Sequence, residues 1–250
     1  MKKWYDIIDY SFTFFAGKDR KVLMNCEVIA VKKSIRYINY LFLIVSLISA
    51  ACYDYFSGLP LKTLNASIFM SLGLINAVYA FKKRAFNPLC MVFALAFCMA
   101  ADVTLWYSFI FGAALFATGH VFYIICYCKR EKFLWSDLIP GAVLFVPVCV
   151  LMLTWKQFDY GSGLMKGICI GYALIISLMF SKAVSNYRRK KCRAYALMAL
   201  GSAMFVFSDF MLLLDVFAGA PPITDTLCVF TYFPGQCIQA HALYWLAENK

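Results

Sequence analysis

Charge is scarce in this chain. Only 15% of its 250 residues are Asp, Glu, Lys or Arg, where roughly a quarter is usual in soluble domains. Hydrophobic residues reach 63% and aromatics 18%, more apolar surface than a water-solvated core of this length absorbs. The same figures exclude intrinsic disorder and a disulfide-stapled secreted scaffold. The chain also lacks metal-site spacing. Its 11 cysteines include no Cys-x-x-Cys pair, and Cys126 and Cys128, two apart, point to different helix faces. Most of the cysteines fall inside apolar runs, where a thiol acts as a small hydrophobe. The runs are continuous and do not alternate in polarity, which argues against barrel strands. What remains is an all-α membrane protein.

A span needs about 20 predominantly apolar residues. Eight such runs are present: 37–53, 63–81, 88–107, 109–127, 138–155, 164–182, 194–217 and 226–247. Gly58 and Pro60 punctuate the first connection. Pro88 opens the third run, a position that suits proline. Runs three and four are almost fused at Ser108 and predict a tight helical hairpin. Gly219-Ala220-Pro221-Pro222 separates runs seven and eight.

The net charge of +11 would fit a nucleic-acid binder, but its distribution says otherwise. Of the 24 Lys and Arg residues, 21 lie in the arm 1–36, the connections near 82–84, 129–132 and 182–193, and the tail, leaving only Lys62, Lys156 and Lys166 on the other set of connections. Basic residues stay on the cytoplasmic side, so the split predicts an eight-transmembrane-helix bundle with both termini cytoplasmic, and no nucleic-acid partner. The domain division is then an N-terminal arm (1–36) and a transmembrane domain (37–247). The arm has no signal-peptide pattern. Trp4, Ile7, Ile8, Phe12 and Phe15 share one helical face, which reads as an amphipathic helix in the membrane interface.

An ionisable group inside a span costs about 2.5–3.5 kcal/mol on insertion scales, so each needs a reason. Of the thirteen carboxylates, only Asp102 and Asp209 lie well inside runs. By helical rise they sit about 8 and 12 Å from the outer ends of their spans, at similar depth. His120 and Gln236 fall near the midplane, and one cavity open to the outer half would collect all four. Tyr123 and Ser208 complete the candidate set; Gln239 and His241 are also polar residues in spans, and His241 is assigned to structure. Runs three and seven carry A-A-D-V-T-L and F-S-D-F-M-L, and runs four and eight carry H-V-F-Y and H-A-L-Y, a short hint of a four-plus-four repeat.

On these residues the chain resembles the lysoplasmalogenase, or YhhN-like, family of membrane proteins. F-I-F-G-A-A-L-F-A-T-G-H-V-F-Y (109–123) is similar to the family's pattern through Gly112, Phe116, His120 and Tyr123. L-G-S-A-M-F-V-F-S-D-F-M-L (200–212) resembles its Gly-x-x-x-Phe-x-x-Ser-Asp signature through Gly201, Phe205, Ser208 and Asp209. Y-A-L-I-I-S-L-M (172–179) and T-Y-F-P-G-Q-C-I (231–238) add further matches, the latter placing Gln236 on the family's glutamine. At 102–105, D-V-T-L follows the family's Gly-Asp-x-x-Leu pattern, except that Ala101 replaces the glycine. The resemblance covers about 37–247.

The resemblance implies a multi-pass hydrolase that cleaves the vinyl-ether bond of lysoplasmalogens, giving a fatty aldehyde and a glycerophospho-base. It carries the family's paired aspartates onto Asp102 and Asp209. The chemistry suits them: protonation of the vinyl carbon gives an oxocarbenium ion that water captures, and two carboxyls in a low-dielectric site supply an acid and a base. His120, Tyr123, Ser208 and Gln236 would position water or substrate. The partners implied are a lysophospholipid substrate and membrane lipids, and neither metal nor cofactor is called for. The alternatives are a membrane transporter or lipid-binding protein that uses the carboxylates for proton coupling or head-group binding, and a scaffold without a ligand. Transport is disfavoured by the lack of helices broken at mid-span by Gly or Pro.

Overall fold

The computed structural model describes residues 30–248. By their contacts the described residues divide into two units between Tyr40 and Leu41. In the first, the described residues are helical, and Asn39 Nδ2 donates to the Ile35 carbonyl one turn back at 2.8 Å. The amphipathic segment expected over Trp4 to Phe15 lies outside the described residues.

Eight α-helices account for almost all of the described chain: α1 (Ala30–Phe56), α2 (Leu59–Lys82), α3 (Leu89–Leu105), α4 (Phe109–Arg130), α5 (Leu138–Thr154), α6 (Gly163–Arg189), α7 (Arg193–Ala218) and α8 (Ile223–Glu248). Each contains or largely overlaps one of the eight apolar runs, and the described residues include no strand. The expected breakers end helices: Gly58 has φ 105° between α1 and α2, and Gly219 caps α7 in the left-handed region at φ 57°. Pro147 and Pro234 lie inside α5 and α8, which continue through them.

Six of the helices are long and apolar enough to cross a membrane, namely α1, α2, α4, α5 with its preceding turn, α6 and α7. The chain is therefore a multi-pass membrane protein. The other two depart for different reasons. Helix α3 has 17 residues, about 25 Å at the helical rise, short of a hydrocarbon core of roughly 30 Å. Helix α8 has the length but carries Gln236, Gln239 and His241. Its polarity is explained by its surroundings, because every residue from 232 to 244 is buried. Over that stretch it faces protein on all sides.

Packing follows a closed cycle within the second unit. Helix α2 packs on α3, α3 on α4, α4 on α6, α6 on α7, α7 on α8, and α8 on α2. Helix α5 stands outside this cycle against α6, with only Gly141 and Met152 buried. Residues 135–137 form a short 3-10 turn ahead of α5. There Asp137 and Lys182, both 2% exposed, pair at 2.8 Å. Lys182, read from sequence with a basic connection, is thus a buried residue of α6 that ties the start of α5 down. Arg189 also pairs with Asp137, and Lys182 Nζ donates to the Lys132 carbonyl at 2.9 Å.

The expected hairpin of runs three and four is present as α3 and α4, joined through Trp106 to Ser108. Gly112 lets them touch: a Cβ there would lie 2.7 Å from Leu105 Cα. Close approach through small residues is a recurrent means of packing helices in lipid. Gly112→Val is expected to force the hairpin open at about 1–3 kcal/mol, read as a lowered thermal midpoint in detergent. Gly163→Ala, where a Cβ meets nothing within 4 Å, is expected to leave the midpoint unchanged.

Candidate active site

Asp209 sits on α7 and Asp102 on α3, and their surroundings differ. Asp209 keeps 14% of its side chain exposed. It lies in the wall of a cavity between α4, α5, α6 and α7, with about 90 Å³ accessible to the centre of a water molecule. The rest of that wall is almost wholly apolar, including Phe109, Phe116, Leu144, Val148 and Phe217. Its polar side chains besides Asp209 are Tyr172 and Ser177 of α6. An apolar slot with few polar groups is the usual form of a site for a lipid-like ligand.

Three side chains meet at Asp209. The Tyr172 hydroxyl donates to Asp209 Oδ2. His120 of α4 places Nε2 2.8 Å from the same hydroxyl and 3.8 Å from Asp209 Oδ2. With the phenolic proton given to the carboxylate, the Tyr172 oxygen is left as the acceptor for a proton on His120 Nε2. Ser208 Oγ donates to the Phe205 carbonyl at 2.9 Å and reaches Asp209 Oδ1 at 3.4 Å. Back-bonding to its own helix is therefore its main contact.

Asp102 is 1% exposed and accepts a 2.7 Å hydrogen bond from the Tyr232 hydroxyl of α8. It does not line the cavity, and neither do His120, Tyr123 and Gln236. A single cavity gathering both carboxyls, His120 and Gln236 is thus not what the structure shows. Aromatic rings connect the surroundings of the two carboxyls: Phe116 and Phe205 both meet the Tyr232 ring edge-on, with centroids at 5.8 and 5.2 Å. The His120 ring meets Phe205 at 4.5 Å. The two carboxyls still act on one another electrostatically, although no hydrogen bond joins them among the described residues.

Tyr123 and Gln236 belong to a separate polar connection. The Tyr123 hydroxyl donates to Gln236 Oε1 at 2.7 Å, tying α4 to α8. One turn along each helix, Tyr127 donates to Gln239 Oε1 at 2.9 Å, and Gln239 Nε2 donates to Ser202 Oγ of α7 at 3.0 Å. The two His-x-x-Tyr segments have different surroundings. His120 bonds Tyr172, whereas His241 accepts from Trp245 Nε1 at 3.1 Å.

The matching protein-family model is that of the YhhN family, over residues 63–243. The chain belongs to the YhhN family. No curated protein and no solved structure matches it. In this YhhN-family chain both aspartates and all their hydrogen-bond partners fall within the matched residues, so the resemblance read from the motifs holds at the level of the family.

Sequence reading missed the two tyrosines that hold the carboxyls, Tyr172 and Tyr232. Both lie in segments singled out by the resemblance, but a tyrosine in an apolar span does not stand out by charge. Their signal was depth: each lies on a helix near the level of one aspartate. Tyr232→Phe is expected to leave the buried Asp102 carboxyl short of its donor, at about 1–3 kcal/mol. A thermal melt of the purified variant in detergent, against Tyr37→Phe at an exposed position, measures it.

Proposed function

We propose that this protein is an intramembrane hydrolase of the lysoplasmalogenase type, cleaving the vinyl-ether bond of a lysoplasmalogen to a fatty aldehyde and a glycerophospho-base. The observation that carries the reading is Asp209, a carboxyl held by Tyr172 at the edge of an otherwise apolar cavity. Family membership is consistent with it.

In the proposed reaction the alkenyl chain lies in the apolar slot and presents its double bond to Asp209. Protonated Asp209 delivers its proton to the vinyl carbon β to oxygen, leaving an oxocarbenium ion and a carboxylate. Water adds to the cation and gives its proton to the Asp209 carboxylate. The hemiacetal then collapses to aldehyde and alcohol, with one water consumed per bond cleaved. Asp102, held by Tyr232 beside the Phe116 and Phe205 rings, acts on the reacting carboxyl across a low-dielectric interior, where electrostatic fields reach further than in water. Ser208 and His120 orient the Asp209 carboxyl, and Tyr123 and Gln236 fix α4 against α8 beneath it.

For the topology, we propose eight spans with both termini on the cytoplasmic side, supported by the 21-to-3 division of basic residues. On this reading α3 and α8 cross within the protein's own cycle of helices.

Purified protein given a lysoplasmalogen is expected to release fatty aldehyde. Asp209→Asn is expected to lower the rate by about 10²–10⁴-fold, the usual loss of a general acid, with the variant still folded. Undiminished release by Asp209→Asn, or lipid binding without any aldehyde, would overturn the reading in favour of a lipid-binding protein or transporter.

A further inference from the structure

The hydrogen-bond chain at Asp209 has a loose end. His120 is 0% exposed; its Nε2 faces Tyr172, and its Nδ1 has no hydrogen-bond partner. A buried polar atom without a partner calls for an explanation. Here it sits at the far end of a continuous row: His120 Nε2, the Tyr172 hydroxyl, then Asp209 Oδ2. Edge contact with Phe205 at 4.5 Å holds the imidazole ring in place. Nδ1 is therefore a basic lone pair kept from bulk water and joined to the cavity carboxyl through one phenol.

We propose that Tyr172 is a proton bridge, through which His120 stores a proton and returns it to Asp209. The transfer balances without a co-reactant. With a proton on Nδ1, the imidazolium passes its Nε2 proton to the Tyr172 oxygen as Tyr172 passes its own proton to the Asp209 carboxylate. His120 is left neutral, Tyr172 unchanged and Asp209 a carboxylic acid; the reverse transfer empties it. The titratable groups that act electrostatically on this row from neighbouring helices are Asp102 and Cys98 on α3, and Cys228 on α8. None of them is hydrogen-bonded into it. Tyr172 has a second vantage, since it also lines the cavity. The role in turnover rests on the hydrolase reading above; the shared proton does not.

The test is a double-mutant cycle read by infrared spectroscopy on purified protein across a pH series. The carboxyl band of Asp209 is identified as the one lost in Asp209→Asn. His120→Gln is expected to shift the titration midpoint of this band in the presence of Tyr172, and to shift it far less in a Tyr172→Phe background, because the bridge is then already cut. Equal shifts in both backgrounds, or none in either, overturn the bridge and leave Tyr172 a packing residue. For turnover, Tyr172→Phe is expected to lower kcat for aldehyde release by about 10²-fold, with KM within about twofold. A raised KM with unchanged kcat would instead make Tyr172 a substrate contact and overturn the proposal. If the wild-type protein releases no aldehyde, the hydrolase reading falls, while the infrared cycle still decides the bridge.

Discussion

A helical stretch that is polar along one face and buried on every face needs its polar groups answered by its neighbours, and residues 232–244 of α8 impose this condition on the bundle. Tyr232 is answered by Asp102 on α3, Gln236 by Tyr123 on α4, and Gln239 by Tyr127 on α4 and Ser202 on α7. Its backbone is used as well: Asn76 of α2 donates to the Ala240 carbonyl at 3.0 Å. In lipid there is little water to replace a lost partner. Together these bonds fix the rotation and height of α2, α3, α4 and α7 against α8. The positions of α4 and α7, and with them His120 and Asp209, depend on that registration.

The two carboxyls, alike in sequence context, receive different assignments from this packing. Asp102 is enclosed by α8 and a layer of aromatic rings. Asp209 is turned the other way, toward a slot completed by α5 and α6. The ring layer of Phe116, Phe205 and Tyr232 keeps the apolar slot apart from the polar ties in the bundle interior. It also presses on His120, so the same rings that link the surroundings of the carboxyls orient the imidazole beside one of them.

Much of this was legible in the sequence because lipid makes polarity conspicuous. Continuous apolar runs located the helices, and Gly58, Pro88 and Gly219 placed their ends. Asp102 and Asp209 were marked by the cost of a charge in a span, and His120 by being one of two histidines. The lateral order of helices was not legible, since any order satisfies hydropathy. For that reason compatible depths of both aspartates, His120 and Gln236 could not show that only Asp209 among them faces the cavity. Tyr172 and Tyr232 escaped notice for a related reason: a phenol is apolar enough to pass for packing until its hydroxyl partner is located. Lys182 was misplaced by charge counting because its ammonium, paired with Asp137, lies inside a helix end and not in a connection.

The position of α8 in the chain has a bearing on biosynthesis. It follows all the helices whose polar groups it answers. During synthesis Asp102, Tyr123 and Tyr127 must enter the bilayer before Tyr232, Gln236 and Gln239 exist to meet them. Helices α2 to α7 alone therefore leave Asp102, Tyr123 and Tyr127 without the partners seen in the folded bundle, and α8 supplies them. The polar ties of the ring close only once α8 has followed the helices it joins.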